Sequence, residues 1–197
     1  MVLSNRVDAE SGNALGIADA GSFWHSDNSY NQAPARATLL YAVEVPDQGG
    51  DTLFADMVAA CRALPGPLRA RVQGRVAVHN YAHTPRAIFA SGEVTAPPDA
   101  RHPVVRRVPG TGDDAIYVNP AYTVRIEGLE EPDSRALLDE LYAHCLSERF
   151  RLRYQWRRGD VVVWDNAAVM HSATTKGLDP SRHRTLWRTI ISGEPTL

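Results

Sequence analysis

The amino-acid sequence predicts a mainly β fold with a few helices, closed or sandwiched in the manner of a jelly roll. Three observations lead there. Short β-favouring runs recur along the chain between turns rich in Gly, Pro and Asp. One segment alone carries a clear helical period. No internal repeat or low-complexity tract breaks the pattern, and 197 residues suit a single domain, 1–197, with its own core.

The elements follow in order. Residues 37–45, Ala-Thr-Leu-Leu-Tyr-Ala-Val-Glu-Val, favour a strand, Pro46-Asp47-Gln48-Gly49-Gly50 marks a turn, and residues 51–55 are expected as the return strand. Asp56 is placed to cap a short helix that ends before Pro65. Residues 75–81 read as a strand. Residues 84–102, rich in Pro, Ala, Ser and Gly, read as a long loop and a candidate lid. Strands at 104–108 and 115–118 flank a turn from Gly110 to Asp114. From Asp133 to Ser147, Leu137, Leu138, Leu141, Tyr142 and Cys145 keep helical spacing, with Asp133 or Ser134 as cap and Pro132 just ahead. Strands at 150–156, 160–164 and 184–192 close the chain.

Composition narrows the function. A net charge of −2 gives no basic face for nucleic acid. No run of about 18 apolar residues suggests a membrane span, and the first residues lack the apolar core of a secretory signal. Cys61 and Cys145 make neither a disulfide framework nor a zinc-finger spacing, so a reducing cytoplasm is the expected compartment. His-Glu-x-x-His, a Gly-rich phosphate loop and a Gly-x-Ser-x-Gly turn are all absent.

The chemistry concentrates in Phe23-Trp24-His25-Ser26-Asp27. In an extended segment residues i and i+2 share a face, so His25 and Asp27 can reach one metal. A distal histidine, His171, follows the strand that ends in Trp164-Asp165-Asn166 and can supply a third ligand. Two histidines and a carboxylate with open positions suit non-haem iron(II). A His-x-Asp pair alone is more often structural, so further parts must fit. Arg184 and Arg188 share a strand face with residue 186. Buried together, they call for small anionic ligands; on an exposed edge strand they would be merely solvated. Thr52, in Gly50-Asp51-Thr52-Leu53-Phe54, could donate to a carboxylate beside Arg184 or be plain strand packing. Tyr122 and Phe54 are candidate pocket walls. His79 and His83 are too far apart along a strand to grip one metal, and His102, His144 and His183 read as ordinary loop or surface positions.

The sequence resembles the taurine dioxygenase / 2,4-dichlorophenoxyacetate dioxygenase family of iron(II)- and 2-oxoglutarate-dependent oxygenases. The matching segments are Gly16–Gly21, Trp24–Tyr30, Gly49–Met57, His102–Arg106, Tyr117–Asn119, Trp164–Asn166, His171 and Arg184-x-x-x-Arg188, in order across nearly the whole chain. The resemblance implies a double-stranded β-helix (jelly roll), with His25, Asp27 and His171 as iron ligands. It implies that Arg184 and Thr52 hold the distal carboxylate of 2-oxoglutarate and that Arg188 meets the acidic group of the primary substrate. Related halogenases lack the carboxylate that Asp27 supplies, so hydroxylation, desaturation or oxidative cleavage is expected instead. Gly21 stands where taurine-hydroxylating members carry a polar amide, which speaks against taurine.

The resemblance also implies a chain short at its N-terminus, because family members carry a further segment there that completes part of the β-framework and substrate pocket. The expected protein is a dioxygenase using Fe(II), 2-oxoglutarate and dioxygen on a small carboxylate, sulfonate or sulfate ester. A catalytically silent jelly-roll module that binds a metal is the alternative. An incomplete framework leaves strand edges for another copy to cover, so a homo-oligomer is expected.

Overall fold

The computed structural model describes residues 1–83 and 97–197. Its strands are β1 (Val2–Ser4), β2 (Ala35–Glu44), β3 (Thr52–Asp56), β4 (Val76–His79), β5 (Ala100–Pro103), β6 (Val105–Arg107), β7 (Asp114–Ile116), β8 (Thr123–Ile126), β9 (Arg151–Tyr154), β10 (Val161–Asp165), β11 (Val169–Ala173) and β12 (Thr185–Ser192). Three α-helices accompany them: α1 (Met57–Arg62), α2 (Gly66–Val72) and α3 (Glu131–Cys145).

Two antiparallel sheets face each other. One has the order β1-β12-β2-β10 and the other β11-β3-β9. Alternation puts Leu40 and Ala42 of β2, Leu186 of β12, Trp164 of β10 and Phe54 of β3 in one buried cluster between them. A larger core joins α1, α2 and α3 to the β5-β4-β8 sheet and the β6-β7 hairpin. This is the jelly roll that the strand pattern predicts.

The strand expected to return from β2 does not. β3 pairs with β11 and β9, in the opposite sheet. The Pro46–Gly50 turn reverses the chain but does not choose its partner; Thr52, Phe54 and Ala55 are buried in the second layer. The loop expected at 84–102 ends earlier, since Ala100–Pro103 pairs with β4. The rest of the candidate lid, up to residue 96, lies outside the described residues. Helix α2 has no counterpart in the sequence reading, which places no element between Pro65 and the strand at 75; its Leu68 and Val72 are buried. His171 lies within a strand, β11, rather than beyond one.

Helix α3 buries Leu137, Leu138, Leu141 and Cys145, as its period requires. It starts at Glu131, and neither Asp133 nor Ser134 caps it. Ser134 Oγ instead accepts from the Ile126 amide at 2.8 Å, tying the helix to β8. Asp56 does cap α1, accepting from Val58 and Ala59 amides at 3.0 and 2.8 Å. Asp56→Ala should therefore lower unfolding free energy by about 1 kcal/mol in urea titration. No helix among the described residues is long and apolar enough to cross a membrane.

Candidate metal centre and its two chambers

The site forms where residues 21–25 run beside β11. His25 and His171 exchange both backbone hydrogen bonds, at 3.0 and 2.9 Å, and Ala173 donates to the Gly21 carbonyl at 2.7 Å. Two residues paired this way project their side chains to the same face, so the backbone alone brings the two imidazoles together. Their ring centroids lie 4.2 Å apart. Gly21 makes this approach possible: at φ +70° a Cβ would stand 2.9 Å from the His25 ring.

Asp27 completes the cluster. Its carboxylate oxygens lie 3.4 Å from His25 Nε2 and 3.6 Å from His171 Nε2. One ligand atom from each of the three lies within 4.8 Å of the others, and all three residues are buried. A separate network fixes the carboxylate. Asn166 Oδ1 accepts from the Asp27 amide at 3.2 Å and from Trp164 Nε1 at 3.1 Å. Asn166 Nδ2 donates to Thr38 Oγ1 at 3.0 Å, and that hydroxyl donates to Asp27 Oδ2 at 2.6 Å. Arg188 bonds the other oxygen.

Protonation suits a cation. His25 Nδ1 sits 2.8 Å from the Phe23 carbonyl, which can only accept, so Nδ1 carries a hydrogen and Nε2 is the nitrogen turned toward Asp27. Burial pushes His171 down to about 3, with His25 adding to that effect and Asp27 opposing it. Burial pushes the Asp27 carboxyl up, but His171, His25 and Arg188 together hold it well below the usual carboxylate range. A neutral His171 imidazole beside an ionised Asp27 carboxylate presents the forms that metal binding requires.

The six residues read from the sequence as metal, cosubstrate or substrate contacts line one chamber of about 40 Å³: His25, Asp27, Thr52, His171, Arg184 and Arg188. Arg184, just ahead of β12, and Arg188, within it, both turn into the chamber on the side of fully buried Leu186, while Trp187 and Ile191 face outward. The strand is not an edge; β1 and β2 flank it. Arg184 is 4% exposed, and its Nε donates to the neutral Gly50 carbonyl at 2.7 Å. Burial lowers it to about 10, against the pull of Asp51, so it stays cationic at neutral pH. Thr52 Oγ1 accepts from Trp156 Nε1 at 3.0 Å, which leaves its own hydrogen to donate.

A second chamber of about 190 Å³ adjoins the first across His25, Asp27 and Arg188. Phe23, Tyr30, Tyr81 and Tyr122 wall it, with Ile17 and Ile190. Tyr122 thus lines the site as expected, whereas Phe54 packs beside Trp164 and His171 in the core. Sequence reasoning missed Thr38, Trp156, Tyr30 and Tyr81. Nothing local marks Thr38; it is an ordinary strand residue until Asp27 folds against it.

A jelly roll holding a His-x-Asp pair and a distal histidine between its sheets, with a buried arginine beside them, defines a protein with a mononuclear metal site. The chain belongs to the taurine catabolism dioxygenase TauD, TfdA family, whose model matches residues 1–190. It is 39% identical over 157 residues to the alpha-ketoglutarate-dependent 2,4-dichlorophenoxyacetate dioxygenase of Cupriavidus pinatubonensis, covering 77% of this chain and 54% of that protein. It is 36% identical over 174 residues to the alpha-ketoglutarate-dependent sulfonate dioxygenase of Saccharomyces cerevisiae, covering 87% and 42%. The chain therefore spans about half the length of these curated relatives. Among solved structures it resembles a taurine dioxygenase from Burkholderia xenovorans, with TM-score 0.77, 34% identity, and 98% and 64% of the two chains covered. It also resembles AAD-2 in complex with Mn(II) and N-oxalylglycine, with TM-score 0.78, 29% identity, and 90% and 71% covered.

Proposed function

We propose that residues 1–197 act as one Fe(II)- and 2-oxoglutarate-dependent dioxygenase domain. The reaction couples decarboxylation of 2-oxoglutarate to succinate with oxidation, most simply hydroxylation, of a small anionic organic substrate. The observation that carries this reading is the convergence of His25, Asp27, His171, Thr52 and Arg184 on one chamber. Membership of the family supports it.

In this reading His25, Asp27 and His171 hold iron(II) and leave positions open for cosubstrate and dioxygen. The metal and 2-oxoglutarate, when bound, supply the oxidising chemistry. The chain's own residues supply position. Arg184 receives the distal carboxylate through a charge-assisted bond, and the Thr52 hydroxyl donates to the same group. Arg188 receives the acidic group of the substrate, a carboxylate, sulfonate or sulfate ester. The substrates for which these relatives are named, 2,4-dichlorophenoxyacetate and sulfonates, carry such groups. The aromatic walls of the outer chamber surround the rest of the substrate and keep water from the reacting carbon.

Two further expectations belong here. Edge strands β9 and β10 expose Leu152, Val161 and Val163, which supports a homo-oligomer. Free, buried thiols at Cys61 and Cys145 support a cytoplasmic setting.

Anaerobic addition of Fe(II) and 2-oxoglutarate to purified protein tests the function. A weak visible charge-transfer band is expected, followed by succinate release on admitting air with a suitable carboxylate or sulfonate. Folded protein that gives no band would favour the silent metal-binding module.

A further inference from the structure

The chain leaves Asp27 through a tight turn, and this turn is held from a distance. Asn28 has φ 56°, the one positive value at a non-glycine residue among those described. Ser29, next in line, is fully buried. Tyr30 then enters the wall of the outer chamber, with ring centroids 4.5 Å from Tyr81 and 4.9 Å from Tyr122. The placement of Ser29 therefore sets both its neighbours: the carboxylate two residues before it and the aromatic wall one residue after.

Three side chains from outside the turn grip Ser29. His102 Nε2 sits 2.8 Å from its carbonyl. Asn119 Nδ2 donates to its hydroxyl at 3.0 Å, and His79 Nδ1 lies 3.2 Å from the same oxygen. Their hydrogens can be assigned. The Ser29 carbonyl only accepts, so His102 carries its hydrogen on Nε2, and its Nδ1 accepts from the Thr196 hydroxyl. Ser29 Oγ, already accepting from Asn119, gives its hydrogen to His79 Nδ1. His79 then donates from Nε2 to Thr123 Oγ1 at 3.3 Å. Every donor meets an acceptor when both rings are neutral, and burial lowers both histidines, His102 to about 4. From sequence, His102 reads as an ordinary loop or surface position and His79 as a strand residue unable to share a metal with His83. Both are fully buried, on β4 and β5, and neither touches the metal centre.

We infer that His102, seconded by His79, is a positioning residue: by clamping Ser29 it fixes Asp27 for the metal and Tyr30 for the substrate chamber. The inference rests on the proposed metal-binding role of Asp27. A group that only orients a ligand is still worth a measurable share of affinity, because each misplacement of the ligand is carried into the metal bond.

The test compares His102→Leu, which keeps most of the ring's volume but cannot donate, with His102→Gln, whose amide can. Mn(II) affinity is read from the electron paramagnetic resonance of the free ion, and ligand geometry from the visible spectrum of the Co(II) form. His102→Leu should weaken Mn(II) binding about 10- to 100-fold and alter the Co(II) bands, with far-UV circular dichroism unchanged. His102→Gln should stay close to wild type in both. If His102→Leu does not fold, Thr196→Val on the C-terminal tail removes the hydroxyl that anchors the ring at Nδ1 and should weaken Mn(II) binding in the same sense. Wild-type affinity in His102→Leu, or an equal loss in His102→Gln, overturns the inference; should His102→Leu not fold, wild-type affinity in Thr196→Val does so. His25→Ala serves as the separate control. If wild-type protein binds no Mn(II), or His25→Ala binds it as well as wild type, the metal reading itself fails and the inference falls with it.

Discussion

His171→Ala should abolish succinate formation and lower metal affinity at least about a thousandfold, or ~4 kcal/mol. The expectation separates side chain from scaffold. The two backbone bonds between His25 and His171 persist in the variant, because they belong to the main chain. β11 likewise keeps its five-residue register with β3. The substitution therefore deletes one imidazole from the wall of a chamber and leaves the frame that presented it. Two ligands, His25 and Asp27, would remain, and Arg188 would still pair with the carboxylate. Isothermal titration with Mn(II), alongside a urea melt, reads both halves of the expectation. Near-native metal binding in a folded His171→Ala protein would remove the basis for the site.

The pattern of what sequence could reveal follows from the range over which each signal acts. His25 and Asp27 were legible because a two-residue period is local: in extended chain it needs no partner strand. Arg184 and Arg188 both line the chamber, but the simple alternation over 184, 186 and 188 does not hold throughout: Arg184 lies just ahead of β12, and the pairing with β2 shifts register between Thr185 and Leu186. Strand positions survived within a few residues for β2, β4, β10 and β12. What failed was pairing. The turn after β2 announces a reversal, but whether the chain pairs back or crosses to the other layer depends on β11 and β9, more than 90 residues later. The supporting polar groups failed likewise. Thr38 and Asn166 meet Asp27 across the fold, and Trp164 reaches it only through Asn166; His102 reads as loop or surface because isolated histidines usually are, and His79 as a strand residue with no metal role. Ser134 has a cap's position near a helix start, yet it serves a strand amide instead. Short polar side chains can satisfy several nearby backbone groups, and only the tertiary fold decides which.

Arg184→Leu should weaken 2-oxoglutarate binding by a factor of 30 to several thousand, about 2–5 kcal/mol, while metal binding stays intact. Stability should hold or rise. A buried guanidinium whose Nε partner is a neutral carbonyl carries a desolvation cost that an apolar side chain of similar volume does not. Asp51 offsets part of that cost, and an anionic ligand beside Arg184 would offset the rest. Gly50 points the same way: at φ +68°, a Cβ there would come within 2.9 Å of Arg184 Cδ. The backbone is thus kept bare so that the long side chain can pass into the chamber. Arg184→Lys should recover only part of the affinity, since an ammonium cannot grip a carboxylate with two parallel bonds. Anaerobic titration of the Fe(II) form with 2-oxoglutarate, followed through the charge-transfer band, gives the affinity, and a thermal melt gives the stability. Unchanged cosubstrate affinity in Arg184→Leu would show that the anion sits elsewhere. A large fall in melting temperature without loss of affinity would make the arginine a structural group instead.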